Sequence, residues 1–297
     1  MDIILLSGGL GNQMSQYAFA VAKKNKNQVK INTYLLRREY VHQGYELQRV
    51  FEISEDFDGK TDLICRFFRK ILYLKERFFF RPLCEGIFVF LKMINIHLIC
   101  ERYDYLFDSS LLNYKSGLNL YLGGWHSEKY YCLMEKEIRS LFKFDISKLN
   151  VKSFNLKKQL DNCNAVSLHV RRGDYVNELN KNKFGDICSI EYYRKSINYI
   201  KKRVDNPVFI IFSDDIEWTK NNIYLENCIY VDWNKGKDSW QDMCLMSFCK
   251  HNINANSTFS WWGAWLNNNW NKIVIVPNSF IRGISTPDLY PEKWIKI

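Results

Sequence analysis

The strongest constraint in this 297-residue chain is a rhythm in its second half. Short apolar runs recur there: AVSLHV at 165–170, VFIIFSDD at 208–215, CIYVDW at 228–233, NINAN at 252–256 and KIVIVP at 272–277. Helical patterns separate them. IEYYRKSINYIKKRV follows the first run, and Trp240, Met243, Cys244, Ser247 and Phe248 mark one helix face. STFSWWGAWL opens a further helix on residues suited to capping. Strands alternating with helices imply a mainly parallel sheet covered on both faces, with ligands at the carboxyl ends of the strands.

The N-terminus reads in the same way. DIILL is a strand, SGGLGNQ a glycine loop, and Met14, Tyr17, Ala18, Val21 and Ala22 recur at helical spacing. Between about Lys30 and Gly123 the pattern is mixed and hard to parse. The polar segment DISKLNVKSFNLKK, 145–158, reads as a linker, so two domains are expected, 1–150 and 151–297.

Composition narrows the partners. Apolar residues make up 47% and charged residues 25%, a globular balance, and a net charge of +10 calls for an anionic partner. Much of that excess lies between Arg66 and Lys92, where seven Lys or Arg face two Glu. Two readings stay open for this stretch: amphipathic helices with solvated basic faces, or a patch resting on anionic lipid headgroups. Its apolar runs are too short and too charged to span a bilayer. MDIILLSGG enters a strand directly, so neither signal peptide nor anchor is expected. The nine cysteines lack a CxxC pair, which fits reduced thiols. The expected location is cytoplasmic, with peripheral contact at the inner face of the membrane if the basic stretch binds lipid.

The distinctive polar residues follow the apolar runs. Arg171 and Arg172 leave AVSLHV together, and guanidinium forks match phosphate oxygens. Gly173 permits a tight turn, and Asp174 can orient an arginine. Ser213, Asp214 and Asp215 end the next run, where a carboxylate can accept from the N–H groups of guanine or simply cap a helix. Ser257, Thr258 and Ser260 stand at a helix start, a place that suits phosphate or ordinary capping. SGGLGNQ supplies Gly9 and Gly11 of a dinucleotide fingerprint, but Met14 holds the third glycine position, which argues against a nicotinamide enzyme. Asp56-Phe57-Asp58 matches a metal-holding D-x-D only in an exposed-looking turn, so no metal site is expected.

Taken in order, GGLGNQM with QYAFA, HVRRGDY, FSDDIEW and CKHNINANSTFSWWGAWL resemble the bacterial α-1,2-fucosyltransferases of glycosyltransferase family 11. The likeness runs from Leu6 to about Pro277. Ser15 departs from it, since family members usually carry an aromatic there, and so does the 60–120 region. The resemblance implies an α/β fold of GT-B type, two Rossmann-like domains facing across a cleft. Residues 1–150 would be the acceptor side and 151–297 the GDP-fucose-binding side, with the last helix free to pack back on the first domain.

It further implies inverting, metal-independent transfer of L-fucose from GDP-β-L-fucose to the 2-hydroxyl of a terminal galactose in a glycan, giving an α-1,2 linkage. No cofactor and no nucleic acid take part; the partners are the GDP-fucose donor and a galactoside acceptor. Carried over by position, Arg171 and Arg172 meet the pyrophosphate, and His169 and Asp174 frame their loop. Ser213, Asp214 and Asp215 fall near the guanine. Asn256, Ser257, Thr258 and Phe259 line the phosphate side, and Gly9, Gly11, Asn12 and Gln13 approach the donor from the other domain. A proton acceptor for the sugar hydroxyl is not selected by spacing among Asp174, His169 and Glu178. The competing readings are another GDP-sugar transferase, α-1,6-fucosyl or mannosyl, and a non-catalytic module that binds glycan or nucleic acid.

Overall fold

A computed structural model describes residues 1–24, 28–37, 43–54, 59–77 and 80–297. The chain forms two compact units, Met1–Leu141 and Phe142–Ile297.

The first unit runs β1 (Asp2–Leu5), α1 (Leu10–Lys24), β2 (Val29–Asn32), α2 (Glu46–Phe51), α3 (Gly59–Lys75), α4 (Arg81–Met93), β3 (Ile96–Cys100), β4 (Leu118–Leu122) and α5 (Glu135–Leu141). Its four strands pair in parallel in the order β2-β1-β4-β3. The glycine loop between β1 and α1 needs its first glycine. Gly8 has φ +74°, and a Cβ there would lie 2.3 Å from Asn12 Nδ2. Met14, Tyr17, Ala18 and Val21 are buried, as their spacing predicts. Lys23 is buried with them, its Nζ 3.0 Å from an equally buried Asp2 carboxylate. Ser15 replaces an aromatic by donating its hydroxyl back to the Gly11 carbonyl at 3.2 Å.

The second unit runs α6 (Val151–Leu160), β5 (Asn164–Val170), α7 (Glu178–Phe184), α8 (Ile190–Lys201), β6 (Pro207–Ser213), α9 (Ile216–Asn222), β7 (Cys228–Val231), α10 (Trp240–Phe248), β8 (His251–Ile253), α11 (Thr258–Leu266), β9 (Val274–Val276) and β10 (Ile295–Lys296). All six strands are parallel, in the order β10-β9-β8-β5-β6-β7. Alternate residues of β6 feed two cores. Phe209 and Ile211 pack with Tyr193 and Ile197 of α8, whereas Ile210 and Phe212 pack with Leu245 and Met246 of α10. A sheet covered on both faces explains why its strands read as mainly apolar runs rather than alternating ones.

Two expectations need correction. The seam lies at Leu141/Phe142 rather than at 150/151. Phe142 meets Trp262 edge-on at 5.2 Å and Phe144 stacks on Trp240 at 6.0 Å, so the supposed linker starts inside the second unit's packing. No helix among the described residues follows Leu266 to pack back on the first unit. Pro277, Pro287 and Pro291 break up that segment, and it ends instead as the edge strand β10. The hard-to-parse 30–123 region holds, among its described residues, β2, α2, α3, α4, β3 and β4.

Candidate functional site

In the second sheet β5 and β8 are neighbours from which the chain winds outward in opposite directions. The crevice beyond their carboxyl ends is where such sheets bind ligands. The loop after β5 carries Arg171 to Asp174, and the loop after β8 carries Asn254 to Ser257. Tyr175 joins them by donating its hydroxyl to the Asn256 carbonyl at 3.0 Å.

The two arginines are held differently. Arg171 spends both terminal nitrogens on carboxylates, at 2.7 Å to Asp174 and 2.8 Å to Asp214. Burial opposes its charge, but Asp214 and Asp174 outweigh burial and hold the guanidinium above its ordinary pKa. Arg172 bonds through Nε to Asp215 at 3.2 Å and sits over the Trp218 ring at 3.8 Å. Among the described residues no hydrogen bond is made by its terminal nitrogens. Both arginines line a cavity of about 430 Å³ with Tyr175, Trp218 and Asn256.

The acidic pair is occupied by this work. Asp214 accepts the Arg172 backbone N–H at 2.8 Å with one oxygen and Arg171 with the other. Asp215 caps α9, accepting the Trp218 N–H at 3.1 Å, and uses its second oxygen for Arg172. Ser213 completes the cap, its hydroxyl accepting the Asp215 N–H at 3.0 Å. Gly173 lets Asp214 approach, since a Cβ there would lie 2.7 Å from Asp214 Oδ2. The capping alternative therefore describes Asp215, and orientation of arginine describes Asp174 and Asp214.

His169 ends β5 as a buried imidazole whose Nδ1 has no hydrogen-bond partner among the described residues. Burial drives its pKa down to about 4 against the pull of Asp214, so the ring is neutral at pH 7. Its ring lies 6.0 Å from that of Phe259. Ser257 caps α11 by accepting the Phe259 N–H at 3.3 Å, and Thr258 follows at the half-exposed helix start. Asn256 is buried, its amide donating to the Phe184 and Phe280 carbonyls at 3.1 and 3.2 Å. Glu178 is exposed in the first turn of α7. Cys188 also lines the cavity, but burial pushes its thiol up to about 12, which leaves it protonated and unreactive.

The glycine-loop residues belong to the first unit. Gly9 starts α1, its carbonyl accepting the Asn12 and Gln13 N–H groups at 3.0 and 3.1 Å, while Gly11 is buried and Asn12 half-buried. The fully buried side chain of Gln13 donates to the Gly8 and Gly44 carbonyls and accepts the Glu46 N–H, so it braces the loop. The D-x-D at Asp56–Asp58 lies outside the described residues.

Sequence reading missed a polar cluster beyond β3 and β4. Glu101 Oε2 accepts the Gly124 and Trp125 N–H groups at 2.6 and 3.0 Å, and burial raises its carboxyl to about 7. His126 beside it is buried and lowered to about 4. Gln16 donates to the Gly123 carbonyl at 2.9 Å, tying this turn to the glycine loop. The doublet Gly123-Gly124 was the available signal: a Cβ at Gly124 would lie 2.2 Å from His126 Nε2.

The sequence pattern of Glycosyl transferase family 11 matches residues 2–297. This chain belongs to glycosyltransferase family 11. The family 11 chain is 33% identical to an α-1,2-colitosyltransferase of Escherichia coli, over all of this chain and 99% of that protein. It is 32% identical over 103 residues to human galactoside α-(1,2)-fucosyltransferase 1, a match covering 34% of this chain and 28% of that one. Among solved structures it resembles the fucosyltransferase NodZ from Bradyrhizobium, with TM-score 0.52, 14% identity, and 88% of this chain and 90% of that chain covered. The fold is GT-B, built from two Rossmann-like units, and the protein is a glycosyltransferase.

Proposed function

We propose that this enzyme transfers L-fucose from GDP-β-L-fucose to the 2-hydroxyl of a terminal galactose, with inversion to an α-1,2 linkage and without a divalent metal. The observation that carries this reading is the arginine pair at the β5–β8 crevice, one fixed by two carboxylates and one presenting an unspent fork to the cavity.

Breaking the sugar–phosphate bond leaves added negative charge on GDP while the sugar becomes oxocarbenium-like. The Arg172 fork is suited to two diphosphate oxygens, and Arg171 adds a second permanent charge beside it. Two unit charges about 4 Å apart interact by roughly 4 kcal/mol at an effective dielectric near 20. A preorganised donor of this kind is worth about 10²–10³ in rate. Asp174, Asp214 and Asp215 keep both guanidiniums in place before the leaving group forms. In this reading the acidic pair serves the arginines rather than the guanine.

The test is incubation with GDP-fucose and a panel of terminal β-galactosides, followed by mass spectrometry and NMR of the product. A fucosyl group on O-2 of galactose is expected; a different linkage, or GDP release without a glycosylated product, overturns the reading. A second reading comes from the colitosyltransferase relative. Colitose is fucose lacking its 3-hydroxyl, so a parallel incubation with GDP-colitose separates the two donors by kcat/KM.

A further inference from the structure

Helices α3 and α4 lie together on one face of the first sheet. Cys65 and Phe68 of α3 and Leu91 of α4 pack in one core with Ile3, Leu5 and Leu120. A helix in this position normally turns polar residues outward. Here α4 turns out apolar residues beside Arg81, Glu85 and Lys92. Of its thirteen residues only Cys84 and Leu91 are buried, and its outward stripe is Leu83, Val89, Phe90 and Met93, with Leu83 62% and Met93 80% exposed. The neighbouring helix α3 presents Leu63, Phe67 and Tyr73 outward in the same way, interleaved with Arg66, Arg69 and Lys70. The cations are set among the rings: Arg77 over Tyr73 at 5.1 Å and Lys75 over Phe88 at 5.5 Å.

We propose that the outer face of α3 and α4 docks this enzyme on an anionic lipid bilayer, the apolar stripe entering the headgroup boundary and the Lys and Arg side chains meeting lipid phosphates. Charge complementarity selects this occupant. Seven Lys or Arg stand against two Glu from Arg66 to Lys92, and one of those, Glu85, is already paired with Arg81 at 3.3 Å. A second copy of the chain would set like charges against each other, whereas an anionic membrane satisfies both the charge and the apolar stripe. Among the described residues no helix is long and apolar enough to cross a membrane, so the contact is peripheral.

The experiment is flotation of the full chain with vesicles of phosphatidylcholine alone or mixed with phosphatidylglycerol, in low and high salt. The chain is expected to float with the mixed vesicles and to be released by salt. Arg66→Glu with Lys70→Glu should weaken binding by about twenty-five-fold or more, roughly fivefold for each cation removed. Phe90→Gln with Met93→Gln should also weaken it, while both double variants keep the parent's circular dichroism and thermal midpoint. Equal flotation with neutral vesicles, or no response to either double variant, overturns the proposal. So does sedimentation showing a parent dimer that Phe90→Gln with Met93→Gln turns into a monomer, since the face would then be a protein interface.

Discussion

Arg172 sits over the indole of Trp218, its guanidinium carbon 3.8 Å from the ring centroid. The ring faces one side of the guanidinium and Asp215 holds Nε, so the terminal nitrogens keep a fixed direction. Arg172→Ala is expected to lower kcat by about a hundredfold or more, because it removes a charge aimed at the leaving group. Trp218→Ala keeps the charge and loses only its support, so a fall of about three- to tenfold is expected. Trp218→Phe should recover most of it. Steady-state kinetics with saturating GDP-fucose would separate the three.

Gly173→Ala tests the carboxylate scaffold without touching an arginine. The new methyl would displace Asp214, which holds Arg171 and the Arg172 backbone. A drop in kcat of about ten- to a hundredfold is expected with little change in thermal midpoint, because the displaced group is a flexible side-chain end. Comparable loss of stability and activity would make the turn structural instead.

Metal independence has a direct check. Extensive EDTA treatment should leave the rate of transfer unchanged, and added Mg²⁺ or Mn²⁺ should not raise it. Activity that vanishes with chelator and returns with either ion would remove the arginines from the role given to them.

Buried titratable groups give stability two pH dependences of opposite sign. His126 and His169 are lowered to about 4 by burial, so the fold favours the neutral ring. Their contribution is complete above the ordinary histidine value and is lost as pH falls toward 4. Glu101 and Asp242 are raised by burial to about 7 and about 8, so the fold favours the protonated acid. That contribution is complete below the ordinary carboxyl value and is lost as pH rises through 7 to 8. Denaturant unfolding across pH should therefore show His126→Gln flattening the acid side and Asp242→Asn flattening the alkaline side. A parent-like slope in either variant would contradict the assignment for that residue.

The second unit was legible because strands covered on both faces are mostly apolar, and α8 buries a clean stripe against them. The 30–123 region failed for physical reasons. Helix α4 exposes Leu83, Val89, Phe90 and Met93, so apolar residues stand on both its sides and the stripe facing the sheet is not singled out. Strand β3 is an edge strand and only partly buried, so IHLIC lacks the signal of a core strand. The arginine pair was visible because permanent charges after a buried strand must face a ligand or a carboxylate. Their partners were not. Trp218 and Asp215 reach Arg172 only through the parallel register that sets Val170 beside Ser213. The bracing role of Gln13 was hidden for the same reason, since its bond to the Gly44 carbonyl is long-range.

Each ladder is assembled from one contiguous half of the chain, and neither borrows a strand from the other. Mutation can therefore redraft the loops at one half's strand ends while the other half's pairing register stays as it was. A gene spliced near Leu141 to a relative's would carry a whole ladder on either side of the join, so each half can be inherited as a folding unit.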